Sequence, residues 1–198
     1  MSVLILASAS EIRATLLRNA GLEVSVQPAR IDEDSLRLSL LSEGASSIDL
    51  ADALAEHKAR KIAQKNPDAL VLGCDQILDF NGEILTKAET SAQGRTQLKA
   101  LRDNTHTLLS AAVLYHHGQP VWRSTTTARL TMRDFSDEFL DAYLTDNWPQ
   151  IRHCVGCYQI EGPGVRLFSR IEGDYFAILG LPLVELLNTL TRRKDIAG

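Results

Sequence analysis

The sequence predicts an α/β fold: one mixed, twisted sheet with helices on both faces, arranged as two lobes around a central cleft. Three observations predict it. Val3–Ala7 and Ala69–Asp75 are continuous apolar runs of the kind found in strands buried on both faces. Segments with apolar residues at helical spacing follow these runs, as crossover helices between parallel strands do. Two hairpins, Gln76–Leu85 and Thr107–Met132, add antiparallel pairs. With 198 residues, 44% hydrophobic and 23% charged, the chain reads as a single domain over 1–198, long enough to bury a sizeable core. It shows no internal repeat, low-complexity tract or independent linker.

After the first apolar run, Ser8-Ala9-Ser10 breaks the pattern, and Ile12, Leu16, Leu17 and Ala20 mark a helix that stops at Gly21. Leu22 to Val26 alternates as a second strand, ended by Pro28. Arg30 to Ser47 is polar and weakly patterned, headed by Asp32-Glu33-Asp34, and reads as a loop with at most a short helix. A long helix capped by Ser47 or Asp49 runs to about Lys65, with Leu50, Leu54, Ala55 and Ile62 as its apolar stripe while Glu56, Lys58, Arg60 and Lys61 face elsewhere. The strand Ala69–Asp75 then delivers a carboxylate to its C-terminal end. Asn81-Gly82 readily takes the positive φ angles of a type I′ turn.

A helix follows from about Thr90 to Leu101, and His116-His117-Gly118 turns between the two long strands Thr107–Tyr115 and Gln119–Met132. Ser136 caps a helix through Leu144. Beyond Trp148-Pro149 the chain is irregular, and Leu181-Pro182 opens a last helix to about Arg193.

A formal net charge of −4 does not advertise nucleic-acid affinity, and no stable nucleic-acid complex is expected. No run approaches the roughly 18 apolar residues of a spanning helix, and the first residues lack the pattern of a signal peptide, so the expected compartment is the cytoplasm and no membrane is expected as a partner. Three cysteines argue against a disulfide framework. Cys154-x-x-Cys157, beside His153, is a single pair, so a zinc site would need distant help from His106, His116 or His117; it reads as two small buried thiols. Neither a Walker motif nor Gly-x-Gly-x-x-Gly is present.

The serine turn places hydroxyls and backbone N–H groups at the positive end of a helix, where phosphate oxygens bind, and Arg13 in the first helical turn completes an anion site; the alternative is that Ser8 and Ser10 are only caps. Asp75 lies where α/β sheets place ligands, or else is a turn aspartate before the hairpin. Singly, Lys58 and Lys87 are ordinary solvated lysines. Grouped with Arg13, Glu33 and Asp75, they supply what phosphoanhydride cleavage requires: carboxylates to bind Mg²⁺ or Mn²⁺ and take a proton from water, and cations to offset phosphate charge.

In order along the chain, Leu6-Ala7-Ser8-Ala9-Ser10 with Arg13 and Leu16-Leu17, Ile31-Asp32-Glu33, Leu54-Ala55-x-x-Lys58-Ala59, Gly73-x-Asp75, Gly82-x-x-x-x-Lys87, Thr105-His106 and Gly180-Leu181-Pro182-Leu183 resemble the motifs of the Maf family of nucleotide pyrophosphatases. The resemblance runs almost end to end. It implies a two-lobed fold like that of inosine triphosphatases, often dimeric, hydrolysing nucleoside triphosphates to the monophosphate and pyrophosphate with a divalent metal. Under it, Ser8, Ser10 and Arg13 hold phosphate, Lys58 and Lys87 neutralise it, and Glu33 and Asp75 serve metal and water, Asp75 as the proton acceptor.

Glu11 and Ile12 depart from the family's Pro-Arg, and Ala88 from its proline after Lys87. The first departure raises the alternative of a nucleotide-binding regulatory protein with little turnover. Asp75-Gln76, His153-Cys154-Val155-Gly156 and Glu161-Gly162 resemble the branch acting on 7-methyl-GTP rather than the dTTP and UTP branch, with Gln76 and Glu161 as further substrate-binding residues.

Overall fold

Strand β1 (Leu4–Leu6) is buried along its whole length because it has a partner on each side: it pairs in parallel with β2 (Val24–Val26), Leu4 opposite Val24, and with β3 (Leu70–Phe80), Leu4 opposite Leu70. This computed structural model describes residues 4–197, so Val3, placed in the first strand by the sequence, lies outside the described residues. The strands β4 (Glu83–Leu85), β5 (Thr105–His116), β6 (Gln119–Met132) and β7 (Phe168–Glu172) complete a seven-stranded mixed sheet of order β2-β1-β3-β5-β6-β7, with β4 paired to β3. Both expected turns form at the expected residues, with φ of 55° and 85° at Asn81 and Gly82, and 50° and 72° at His117 and Gly118. No helix among the described residues is long and apolar enough to cross a membrane.

The chain divides into two compact units, the first comprising 1–76, 110–126 and 174–198, the second 77–109 and 127–173. In the first, α1 (Glu11–Asn19), α2 (Glu33–Ser42), α3 (Ser47–Ala63), α6 (Tyr175–Ile178) and α7 (Leu183–Arg192) accompany the parallel strands, and Leu6, Leu17, Leu50, Leu54 and Leu72 form a buried core. Three features of this unit differ from what the sequence predicts. The 30–47 segment contains a ten-residue helix, because Asp32 caps it by accepting hydrogen bonds from the Ser35 amide and hydroxyl at 3.0 and 2.8 Å. Lys58 belongs to the buried stripe of α3. Asp75 sits inside a continuous strand rather than ending one, since β3 runs through it to Phe80.

The second unit holds α4 (Ser91–Leu101) and α5 (Asp137–Ile151), the latter running past the expected end at Leu144 and through Pro149 to Ile151. β7 forms in the segment expected to be irregular, pairing antiparallel with β6, with a bulge between Thr131 and Met132. Asp137 joins α5 to α4 by accepting from Lys99 (3.0 Å), Arg102 (2.8 Å) and Arg95 (3.2 Å), and these donors hold its carboxyl well below the usual range.

His106 is 1% exposed in this unit, its Nε2 2.7 Å from the Tyr158 hydroxyl, and burial pushes its pKa down to about 4. Its Nδ1 has no hydrogen-bond partner among the described residues. Because the unfolded ring titrates near 6.5, the unfolded chain binds the extra proton first as pH falls. The contribution is therefore present above about pH 6.5 and is lost as pH falls from there toward 4, amounting to about 2 kcal/mol between pH 7 and 4.5. Denaturant melts at the two pH values should show this loss, and His106→Phe should show a correspondingly smaller pH dependence.

Candidate active site

The serine turn that follows β1 is fixed by backbone and side chain together. Ala7 N–H donates to the Leu72 carbonyl at 2.8 Å, and Ser10 N–H to Ser8 Oγ at 3.3 Å. Ser10 is the N-cap residue of α1, yet its hydroxyl makes no capping bond to the helix. Arg13, 8% exposed, turns inward: Nη1 donates to Ser8 Oγ and to the Cys74 carbonyl, both at 3.1 Å, and Nε donates to the Gly180 carbonyl at 2.7 Å. One guanidinium thus ties the serine turn, the middle of β3 and the residue preceding Leu181. Gly180 is required there, since its φ is +92° and a Cβ would lie 2.8–2.9 Å from Arg13 nitrogens.

Lys58 and Asp75 meet because α3 lies directly on β3. A Cβ on Gly73 would stand 2.1 Å from the Ala55 carbonyl oxygen and 2.6 Å from the Ala59 nitrogen, so at this position the strand admits no side chain at all. Asp75, two residues on, projects from the same face of the strand. Lys58 Nζ, one helical turn beyond Ala55, lies 2.5 Å from Asp75 Oδ1 and 3.0 Å from Glu33 Oε1. The Lys58 and Asp75 residues are each 7% exposed, whereas the Glu33 side chain is 41% exposed. Cys74, between these charges on the strand but fully buried, has its thiol pushed up to about 11 by burial, which makes it a poor nucleophile.

Ser8, Ser10, Arg13, Glu33, Lys58 and Asp75 all belong to the first unit, and two direct clusters join most of them: Ser8 with Arg13, and Glu33 with Lys58 and Asp75. Gln76 is in the same unit. Its amide nitrogen donates to Ser110 Oγ (2.9 Å) and to the Ala177 and Ile178 carbonyls (3.2 and 2.9 Å), bracing α6.

Lys87 and Glu161 belong to the second unit and are both exposed. There they share a neighbour: the Cys154 thiol is raised by burial, with the Glu161 charge raising it and the Lys87 charge lowering it, while Gln159 Nε2 approaches its Sγ at 3.6 Å. Ala88, the departure after Lys87, is buried. Cys154 and Cys157 are not bonded to one another, and burial pushes Cys157 up to about 11. Sequence reasoning passed over Ser110, which braces α6 alongside Gln76 by donating to the Ala177 carbonyl at 2.7 Å. A serine amid the apolar run Leu108–Tyr115 is the signal that points to it.

For a divalent cation, the donor set consists of carboxylate oxygens, the hard ligands that Mg²⁺ and Mn²⁺ take. Glu33 and Asp75 already converge on one cationic nitrogen, so their oxygens lie within reach of a common positive charge. Among the described residues no group of three or more His, Cys, Asp or Glu is arranged to hold a metal. Mg²⁺ usually needs no such group, since it binds through one or two carboxylates and completes its shell with water and substrate phosphates. The two residues fit that mode.

The first unit gathers a serine turn, an inward arginine and a lysine between two carboxylates on an α/β scaffold. The chain belongs to the Maf family: residues 3–193 match the family described as Maf-like protein. Among curated relatives, it is 56% identical over 193 residues to the nucleoside triphosphate pyrophosphatase of Roseobacter denitrificans, covering 98% of this chain and 97% of the relative. It is 53% identical to the nucleoside triphosphate pyrophosphatase of Ruegeria pomeroyi, covering 96% of each chain. It is also 45% identical over 195 residues to the 7-methyl-GTP pyrophosphatase of Brucella abortus, covering 98% of each.

Proposed function

We propose that the protein is a nucleoside triphosphate pyrophosphatase, a hydrolase that splits the α,β phosphoanhydride bond to give the nucleoside monophosphate and pyrophosphate. The observation that carries this reading is the buried Lys58 held between Asp75 and Glu33, on a chain that is 56% identical to a relative of that name. Asp75 accepts the proton of the attacking water as the new P–O bond forms and pyrophosphate leaves. Arg13 and Lys58 offset the phosphate charges, the role that the family resemblance also gives to Lys87. Ser8 and Ser10 contribute hydroxyl and backbone donors at the positive end of α1. Glu33 and Asp75 would hold Mg²⁺ or Mn²⁺, which when bound would supply Lewis acidity toward the phosphates.

Within this class the reading favours a modified guanine nucleotide such as 7-methyl-GTP. Glu161 offers a carboxylate acceptor to a guanine-type N–H edge, where a glutamine both donates and accepts, and the Brucella abortus relative carries that substrate in its name. The test is pyrophosphate release from 7-methyl-GTP, GTP, dTTP, UTP, CTP and ATP with Mg²⁺ or Mn²⁺. The expected result is selective hydrolysis of 7-methyl-GTP. Preference for dTTP or UTP overturns the role given to Glu161 while keeping the chemistry. Saturable binding without release identifies instead a regulatory nucleotide-binding protein, the reading that Glu11 and Ile12 in the phosphate turn raised.

A further inference from the structure

Helix α2 is unusual within its unit: none of its ten residues is buried. Leu38 is 69% exposed and Leu41 is 40% exposed, although the helix rests along α3. Among the described residues, its side-chain bonds other than that of Glu33 are local: Asp32 caps it through Ser35, Asp34 pairs with Arg37 at 3.1 Å, Ser39 donates to Glu43 at 3.2 Å, and Ser42 donates to the Ser39 carbonyl at 2.7 Å. Its ion pair to the rest of the unit is made by its first residue, Glu33, to Lys58. Just before the helix, Lys61 on α3 donates to the Arg30 carbonyl. A helix this short is marginal by itself in water, so its order depends on what holds it.

Lys58 is also the cation that the proposed function gives to substrate phosphate. It cannot serve three anions equally. Asp75, at 2.5 Å and as deeply buried as Lys58 itself, holds the shorter contact; Glu33, at 3.0 Å and 41% exposed, is the partner more easily displaced. A phosphate group drawn to Lys58 also brings negative charge toward the Glu33 carboxylate.

We propose that α2 is a tethered arm, held by Glu33 at Lys58 and released when a phosphate group occupies Lys58. This rests on the proposed function for the identity of the anion, but not for the tether, which stands on the ion pair and on the absence of buried side chains in α2. The arm then reports occupancy of the site: closed over α3 when empty, loosened when the anion arrives. Recapture of Glu33 by a bound divalent cation would hold it again.

Hydrogen exchange followed by mass spectrometry on the whole protein tests this, with inorganic pyrophosphate as the probe, a chelator present, and binding measured in parallel by calorimetry. Pyrophosphate is expected to speed amide exchange in peptides spanning 33–42 by about three- to fivefold, the effect of losing an ion pair worth up to about 1 kcal/mol, while α5 peptides stay unchanged. Glu33→Gln is expected to show the fast α2 exchange without ligand and no further response to pyrophosphate.

Unchanged or slower α2 exchange on confirmed pyrophosphate binding overturns the release. Wild-type protection of α2 in Glu33→Gln overturns the tether, whatever pyrophosphate does. Absence of pyrophosphate binding under chelation overturns the trigger alone and leaves the metal-assisted functional reading to the product assay, while the Glu33→Gln arm still decides the tether.

Discussion

Gly73→Ala is expected to destabilise the protein by at least about 3 kcal/mol and to lower its Tm by roughly 6–12 °C. A methyl group at this position meets backbone on the facing helix, 2.1 Å from the Ala55 oxygen and 2.6 Å from the Ala59 nitrogen. Backbone cannot rotate aside as the tip of a flexible side chain does, so α3 must move off β3. Since Lys58 lies one turn along α3 and Asp75 two residues along β3, that movement opens the 2.5 Å ion pair, and activity should fall even in the fraction that remains folded. Gly162→Ala is the control, because the nearest atom to its added carbon is 3.9 Å away. Thermal melts of the two variants beside the wild type decide the matter: equal small losses in both contradict the account of how α3 is seated.

The seating of α3 was half visible in the sequence. Leu54, Lys58 and Ile62 are spaced four apart, so Lys58 lies on the very stripe formed by its apolar neighbours. Its charge led the sequence reading to place it outside, and spacing, had it been given priority over residue type, would have found the buried lysine. Residue type misled at Asp75 too. An aspartate after a run of apolar residues resembles a strand end, but Lys58 satisfies its charge, so the strand continues to Phe80. The turns at Asn81-Gly82 and His117-Gly118 were legible because their positive φ angles are a local demand met by local chemistry.

Helix α2 was not legible for the opposite reason. Its leucines at 36, 38, 40 and 41 trace no single face, with Leu36 and Leu40 half-buried and Leu38 and Leu41 exposed, so the periodic signal that marks α1 and α3 is missing. Strand β7, Phe168–Glu172, carries charges at Arg170 and Glu172 and is exposed beyond Phe168; its pairing with β6 is a tertiary fact without a local signature. The site divides in the same way. The residue types needed for phosphoanhydride chemistry could be gathered from the sequence, but the sharing of one lysine by Glu33 and Asp75, and the fastening of Arg13 to the Gly180 carbonyl, depend on contacts between distant segments.

Asp75→Asn is expected to lower turnover by about 10² to 10⁴, the range of a general-base contribution. The amide is isosteric with the carboxylate, so the strand and its packing against α3 should persist. What disappears is the basic oxygen, along with one of the two negative charges on Lys58. Lys58 keeps Glu33 as its partner and is not left as an uncompensated buried charge. The variant should therefore remain folded at 25 °C and still bind nucleotide. Loss of folding would assign Asp75 a structural role, and unchanged turnover would remove it from the chemistry.

Hydrolysis at the α,β bond with Asp75 as the base is tested by the identity and amount of product that wild type and folded Asp75→Asn release from 7-methyl-GTP and the unmodified triphosphates in the presence of Mg²⁺, followed by phosphorus NMR. Monophosphate and pyrophosphate in equal amounts are expected from the wild type, with release reduced at least about a hundredfold in the variant. Orthophosphate with diphosphate, or pyrophosphate release that does not depend on Asp75, would contradict this chemistry.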